Sequence, residues 1–331
     1  MATRTSRLHS APAWLLALLV LAAPWRAVWG QQAADIESIL DGLRDLPFHE
    51  FVDASYEQVL RRSPQLVTSL GRSHELGMRN DHLDNMCYAF VDDTYRLKEG
   101  IRDILGTYDR SALDYEQQIS FDSYSRVLAD WAAEHEFMYH FYPVTHGLSA
   151  QNELMRFLED DHPLATVDNA EDYVSRLQEV DDHLGCLIHN LGESEARGII
   201  APAQMLQQAA SQLRGIVPGS ARYLTFYTTL ADKTRSIPGL GEAARLDLLT
   251  RAESAINTSV IPAYQALVAR LEEQIPHAPP MNGLWQLRDL MDRFAGGPAA
   301  VRARLEGAMA KRRLRGWNPP LENINALVAS V

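Results

Sequence analysis

The stretch from Asp114 to Gly147 constrains this chain more than any other. Phe121, Tyr124, Leu128, Trp131, His135 and Met138 recur at intervals of three and four, which lines them along one face of a helix. Asp114 followed three residues later by Gln117 predicts a capping-box start. Pro143 and Gly147 predict a terminal turn that carries Tyr142, Thr145 and His146. An aromatic stripe of this size is costly to leave in water, so other helices must cover it. The expectation is a helix at the centre of the fold.

The same periodicity recurs on both sides. Helices are expected over Ile36–Leu46 and Phe48–Arg62, the second ended by Ser63-Pro64, and over a stretch with Met86, Phe90, Leu97, Ile101 and Ile104 on one side. Between them, Gly71 to Asp84 is polar and irregular. A short helix from Ala150 to Leu158 leads to an acidic bend. Thr166 then caps a helix carrying Tyr173, Leu177, Val180, Leu184, Leu187 and Leu191 and stopping at Gly192. Helices follow over Met205–Leu213 and Tyr223–Thr234. The longest runs from Leu240 to Gln274, with Leu246, Leu249, Ile256, Val260, Ala263, Leu267 and Leu271 on its buried side and a kink at Pro262. No alternating run is long enough for a sheet, Phe141–Thr145 being at most a short extended piece. The fold class is all-α, a multi-helix bundle array of long amphipathic helices.

Residues 1–30 read as a secretory signal peptide. Arg4 and Arg7 precede an apolar run from Ala13 to Pro24, and Ala27-Val28-Trp29-Gly30 precedes Gln31. The run is too short to cross a bilayer comfortably, so no integral membrane span remains after cleavage, and the protein is expected to be exported, periplasmic or secreted. Cleavage removes Arg4, Arg7 and Arg26 and no acids, taking the net charge from −12 to −15. An acidic surface of this kind argues against nucleic acid or an anionic membrane as partner. Cys87 and Cys186 are the only cysteines, in a compartment that permits disulfides. Either they pair or each is a buried, inert thiol.

Residues 31–275 make up the expected helical domain. Pro276, Pro279 and Pro280 open a linker over 276–287, and from Arg288 eight Lys+Arg face four Asp+Glu in a chain of net charge −12. Residues 288–331 are therefore expected to be a divergent basic tail, partly disordered.

With the elements in this order, residues 46–287 resemble the N-terminal half of a bacterial family, the domain-of-unknown-function family 885. Its members are exported or lipid-anchored proteins regarded as zinc metallopeptidases. The matching pieces are Ser63-Pro64…Leu70-Gly71, Tyr142-Pro143…Gly147…Gln151, Arg197-Gly198…Pro202, Pro262-Ala263-Tyr264 and Gly283-Leu284-Trp285-Gln286-Leu287. The resemblance implies the N-terminal lobe of a gluzincin-like helical fold, forming one wall of a peptide channel. In the family the zinc sits in the other half, on a His-Glu-x-x-His helix. Here the resemblance stops at Leu287, so a truncation or frameshift of a longer chain is expected, with zinc belonging only to the full-length family.

The zinc motif needs two histidines four apart so that both imidazoles face one metal. After His49-Glu50 the fourth position is Asp53, after His74-Glu75 it is Met78, and after His135-Glu136 it is Tyr139. His140 comes five residues after His135, which turns the two rings roughly 140° apart on a regular helix. His135 and His140 are the best metal candidates the chain offers, and they cannot share an ion while that helix stays regular. His135, on the apolar stripe, reads as a core or interface histidine. By the resemblance, Tyr142, Thr145, His146 and Gln151 are the substrate-cleft candidates, for peptide. Asp160-Asp161-His162 and Asp181-Asp182-His183 read as solvated charge, as does Lys311-Arg312-Arg313-Leu314-Arg315. Serine-hydrolase, P-loop and dinucleotide signatures are missing from the sequence. The expected function is that of a cleft-framing lobe without zinc-dependent hydrolysis of its own. The alternatives are a non-enzymatic helical periplasmic binding or interaction protein, with an unknown protein partner, and an enzyme with unconventional ligands at His135, His140 and His146.

Overall fold

The computed structural model describes residues 36–147, 149–216 and 219–280. The expected signal peptide and basic tail lie outside these residues. Among the described residues the regular structure is helical, with no strand.

Residues 36–43 (α1), Phe48–Leu60 (α2), Tyr88–Leu105 (α4) and Tyr115–His135 (α5) bury Leu40, Phe48, Phe51, Leu97, Ile101, Tyr124 and Leu128 in one N-terminal core. Helix α5 starts at the predicted capping box: the Asp114 carboxylate accepts from the Gln117 backbone N–H, and the Gln117 side chain accepts from that of Asp114. It is not the centre of the molecule. Of the stripe, Tyr124 and Leu128 on the helix and Met138 just beyond it are buried, while Phe121 and Trp131 are half-covered by α4 and the N-terminal helices. The covering side chains there are charged as well as apolar; the Lys98 ammonium, for example, lies 4.4 Å from the centre of the Trp131 ring.

The larger core belongs to the second half. Ala150–Arg156 (α6), Val167–Gln178 (α7), Val180–Ala196 (α8), Ala203–Ile216 (α9), Thr225–Lys233 (α10), Glu242–Ala255 (α11) and Ile261–Gln274 (α12) enclose Tyr173, Leu177, Leu184, Leu187, Phe226, Tyr264 and Leu267. Helix α12 packs between α8 and α9, and α7 against α11.

Three boundaries depart from the sequence pattern. The stripe from Tyr173 to Leu191 is carried by two helices that break at Glu179, and the second continues past Gly192 to Ala196. Gly192 does not end the helix; it lets the Arg270 side chain approach, with a guanidinium nitrogen 3.6 Å from where a Cβ would lie. The long C-terminal helix is likewise divided. Pro262 lacks the N–H that an α-helix needs at that position, and the chain preceding it widens into a π turn over Ile256–Val260. Leu246 is 52% exposed because the buried stripe passes through Leu248, Leu249 and Ala252, about 100° away per residue.

The two halves are joined through a short helix, Pro64–Ser69 (α3), the irregular stretch up to Asn85, and a Cys87–Cys186 disulfide. The Cα atoms of the bridge are 4.6 Å apart. The start of the expected linker is docked: the Ala203 N–H donates to the Pro279 carbonyl at 2.9 Å, and His277 Nδ1 lies 3.1 Å from the Glu195 carboxylate.

Candidate functional site

The turn after α5 brings the cleft candidates into one short stretch but gives them different roles. Regular helix ends at His135, so His135 and His140 sit on opposite sides of a helix end, not one turn apart on it. Beyond it, Tyr142 and Thr145 are half-buried and His146 is exposed. Gln151, on the first turn of α6, is wholly buried. Its amide Nε2 donates to the Thr145 carbonyl at 2.7 Å, Asn152 donates to the Gly147 carbonyl at 2.7 Å, and the Ser149 hydroxyl donates to the Thr145 carbonyl at 3.0 Å. The turn's carbonyls are thus satisfied by the helix it leads into. The Tyr264 hydroxyl, on α12, donates to the Gln151 carbonyl at 2.9 Å. Two widely separated pieces of the family-like pattern, 142–151 and 262–264, therefore meet in space. Gln151 and Tyr264 shape the turn from behind, and only its outer edge, around His146, faces solvent.

His135 lies at the α4–α5 interface, as its stripe position suggested. Its ring stacks on Tyr95, with centroids 4.7 Å apart. Nε2 is 2.8 Å from the Asp92 carboxylate and Nδ1 is 3.2 Å from that of Glu99. Both ring nitrogens are committed to carboxylates on α4. His49 and His74, heads of the other two His-Glu pairs, are exposed. Among the described residues no three His, Cys, Asp or Glu side chains stand close enough to hold one metal ion.

A third cluster lies between the halves, where solvated charge was expected. His162 and His183 are 2% and 6% exposed. Their neighbours Asp160, Asp181 and Asp182 are exposed, so the acidic pairs are wet while the histidines are buried. Arg176, fully buried on α7, donates to the His82 carbonyl at 2.9 Å, to the Thr68 hydroxyl at 2.7 Å and to His162 Nδ1 at 2.6 Å. Its guanidinium also lies 4.7 Å from the centre of the Phe157 ring. Burial lowers its pKa from 12.5 to about 10, partly offset by Asp172 and Asp84, so it is still a cation at neutral pH. Burial, then the adjacent Arg176 charge, lowers His162 from 6.5 to about 4. Burial also lowers His183, whose Nδ1 donates to the Asp84 carbonyl at 2.8 Å. The buried Asp172 carboxylate pairs with Arg79 and accepts from the Asn80 N–H at 3.1 Å. Asp84, raised by its own burial, accepts from the Ser63 hydroxyl and the Gln65 N–H.

The model of a family of bacterial proteins of unknown function, DUF885, matches residues 64–307. The match begins later than residue 46 and does not stop at Leu287, extending into the stretch expected to be divergent. Solved structures match as well. One is the crystal structure of the putative lipoprotein from Colwellia psychrerythraea, with a TM-score of 0.64 at 17% identity over 72% of this chain and 44% of that one. The likeness is one of fold, and this chain spans less than half of that neighbour's length. No curated protein matches.

Proposed function

This chain belongs to the bacterial protein family of unknown function DUF885, and from that premise we propose that it is the helical, cleft-framing lobe of an exported peptidase-like architecture, without zinc-dependent hydrolysis of its own. The observation that carries the reading is its donor inventory. None of the three His-Glu pairs is followed by a second histidine at the fourth position, and His135 is spent on Asp92 and Glu99. A zinc peptidase needs three protein donors around the ion and an open coordination position for water. In this proposal the outer edge of the 142–151 turn is the peptide-facing wall. Exposed His146 is presented to a peptide, half-buried Tyr142 and Thr145 flank it, and Gln151 holds the turn's shape from the core. Export is part of the proposal and rests on the N-terminal Arg4, Arg7 and apolar pattern.

The test is metal content together with hydrolysis of a peptide library by the purified protein dialysed against zinc. The expected result is well below one zinc per chain and no cleavage that a chelator abolishes. One tightly held zinc per chain with chelator-sensitive cleavage would overturn the proposal. A non-enzymatic interaction protein has support of its own at α3, where Leu66 and the capping Leu70 lie one helical turn apart and are 46% and 51% exposed. A stoichiometric partner lost when both are changed to Ser would favour that second reading.

A further inference from the structure

Residues 63–85 are attached to the second half of the molecule chiefly by polar groups. Leu83 alone of the segment joins the large core; Val67 and Leu76 pack with Leu60 in a small cluster of their own. Most of the rest is made by side chains of α7 and the adjoining turn and helix, and the Ser69 hydroxyl donates to the Asp161 carboxylate at 2.9 Å. Arg176 holds the Thr68 hydroxyl and the His82 carbonyl, Asp172 holds Arg79 and the Asn80 N–H, Glu179 accepts from the Leu83 N–H at 2.8 Å, and His183 holds the Asp84 carbonyl. Arg176 is the hub, and its third bond goes to His162.

That bond requires a neutral imidazole in one tautomer. Nε2 lies 2.9 Å from the Asn169 carbonyl, which can only accept, so Nε2 carries the proton. Nδ1 therefore accepts from Arg176. Adding a proton at Nδ1 would set two donors and two positive charges against each other inside a buried site. We propose that Arg176 is an acid-sensitive latch: braced by neutral His162 it fastens residues 63–85 to α7 through Thr68 and His82, and protonation of the imidazole frees the segment before the remaining fold gives way. The Cys87–Cys186 bridge closes the far end of the segment and keeps the opening from spreading into α4.

The groups around the latch set its direction. Facing His162 are Arg176, Asp172 and the edge of the Tyr173 ring from α7, with Lys233 from α10; around Arg176 lie Asp81, Asp84 and Glu179. Burial outweighs the nearby carboxylates and depresses His162. The attachment is thus complete above the free-histidine value of 6.5 and is lost as pH falls toward about 4. His183, depressed by burial, acts in the same direction. His82, raised by its bond to Glu179, and Asp84, raised by burial, act in the opposite one.

Two backbone N–H groups report on the attachment because each donates across it to a side chain: Asn80 to Asp172 and Leu83 to Glu179. Hydrogen exchange of the intact, oxidised protein, corrected for intrinsic rates, should show their opening constant rising between pH 6.5 and 4. His162 alone should contribute up to about tenfold per pH unit in mid-range, roughly 80-fold between those two pH values. His162→Gln offers the same acceptor and donor without titrating, so its slope should be shallower by one decade per pH unit. Histidine nitrogen NMR of the unaltered protein provides a check that does not depend on how the variant folds. His162 should show the Nε2–H tautomer at pH 7 and titrate together with these two amides. An unchanged slope in His162→Gln, or a His162 that titrates without loss of protection at these amides, would overturn the proposal.

Discussion

Replacing Cys87 and Cys186 together by serine tests how the two halves are held. The bridge joins residues 99 apart, and closing a loop of that length in the unfolded chain is worth about 4.7 kcal/mol on the chain-entropy model. The native ends should stay in place, because other bonds already fix them. The Asn190 side chain accepts from the Tyr88 N–H at 3.0 Å and donates to the Met86 carbonyl at 2.6 Å, while the Tyr88 and Ser194 hydroxyls lie 2.8 Å apart. Both half-cystines are buried, so the two serine hydroxyls need acceptors. Asn85 Oδ1, 3.9 Å from the Cys186 sulfur, is placed to serve one of them. The second adds a burial cost of about 1 kcal/mol, within the range for a poorly paired hydroxyl. The expected loss is therefore about 4–6 kcal/mol. With a urea m-value of about 3 kcal/mol/M, the midpoint should fall by roughly 1.5–2 M, and m should rise as the unfolded chain expands. Urea unfolding followed by far-UV circular dichroism reads both. A midpoint shift below about 0.3 M, with a two-state transition in each protein, would refute the reasoning: the bridge would then constrain nothing that the native contacts do not.

Arg176→Met should cost about 3–5 kcal/mol by the same assay, since it removes the bonds to the His82 carbonyl, the Thr68 hydroxyl and His162 Nδ1 and leaves that buried ring nitrogen without a donor. A loss under 1 kcal/mol would mean that relief from burying a cation offsets all three bonds. Two helical glycines should respond with opposite signs. Gly185→Ala puts a methyl group into open space in mid-helix and should stabilise by about 0.5–1 kcal/mol. Gly100→Ala drives a methyl group into the buried Leu40 side chain and should destabilise by about 1–3 kcal/mol. Thermal melts of the pair check both, and equal signs would contradict the packing of α1 on α4. Tyr264→Phe removes the hydroxyl that donates to the Gln151 carbonyl and should cost about 1–2 kcal/mol, with faster exchange of the Ala150 amide, which donates to the Pro143 carbonyl across the turn.

Apolar spacing reads helices well because each core-facing residue recurs on its own phase. It places α2 and α4, it covers α7 and α12 as parts of longer expected helices, and the Asp114 and Thr166 caps add two starts. Spacing alone does not tell how much other material covers a stripe. The aromatic face of α5 is as regular as any in the chain, yet it meets only the smaller core, because the neighbouring α4 presents Asp92, Lys98 and Glu99 beside its apolar residues. Nor does spacing locate the break at Glu179. That break depends on contacts more than ninety residues away in sequence, where Glu179 receives the Leu83 N–H and stands beside His82.

Polar residues are legible by helical phase and not by residue type. Asp181-Asp182-His183 looks like a solvated run when its members are judged by type. Judged by phase, His183 falls with Val180, Leu184 and Leu187 on the buried stripe of α8, while the two aspartates fall off it. Arg176 likewise shares a stripe with Tyr173, Leu177 and Val180. A charged or titratable residue on an apolar stripe is forced underground by its neighbours, so it must find partners there. For these two, the partners are the irregular residues 63–85, which have few apolar side chains with which to fold by themselves. His162 carries no such phase signal, because it follows the π turn over Phe157–Asp161. It is buried by its contacts with Arg176, the Asn169 carbonyl and the Tyr173 ring, so the tautomer that makes this site responsive to acid is set by the folded structure.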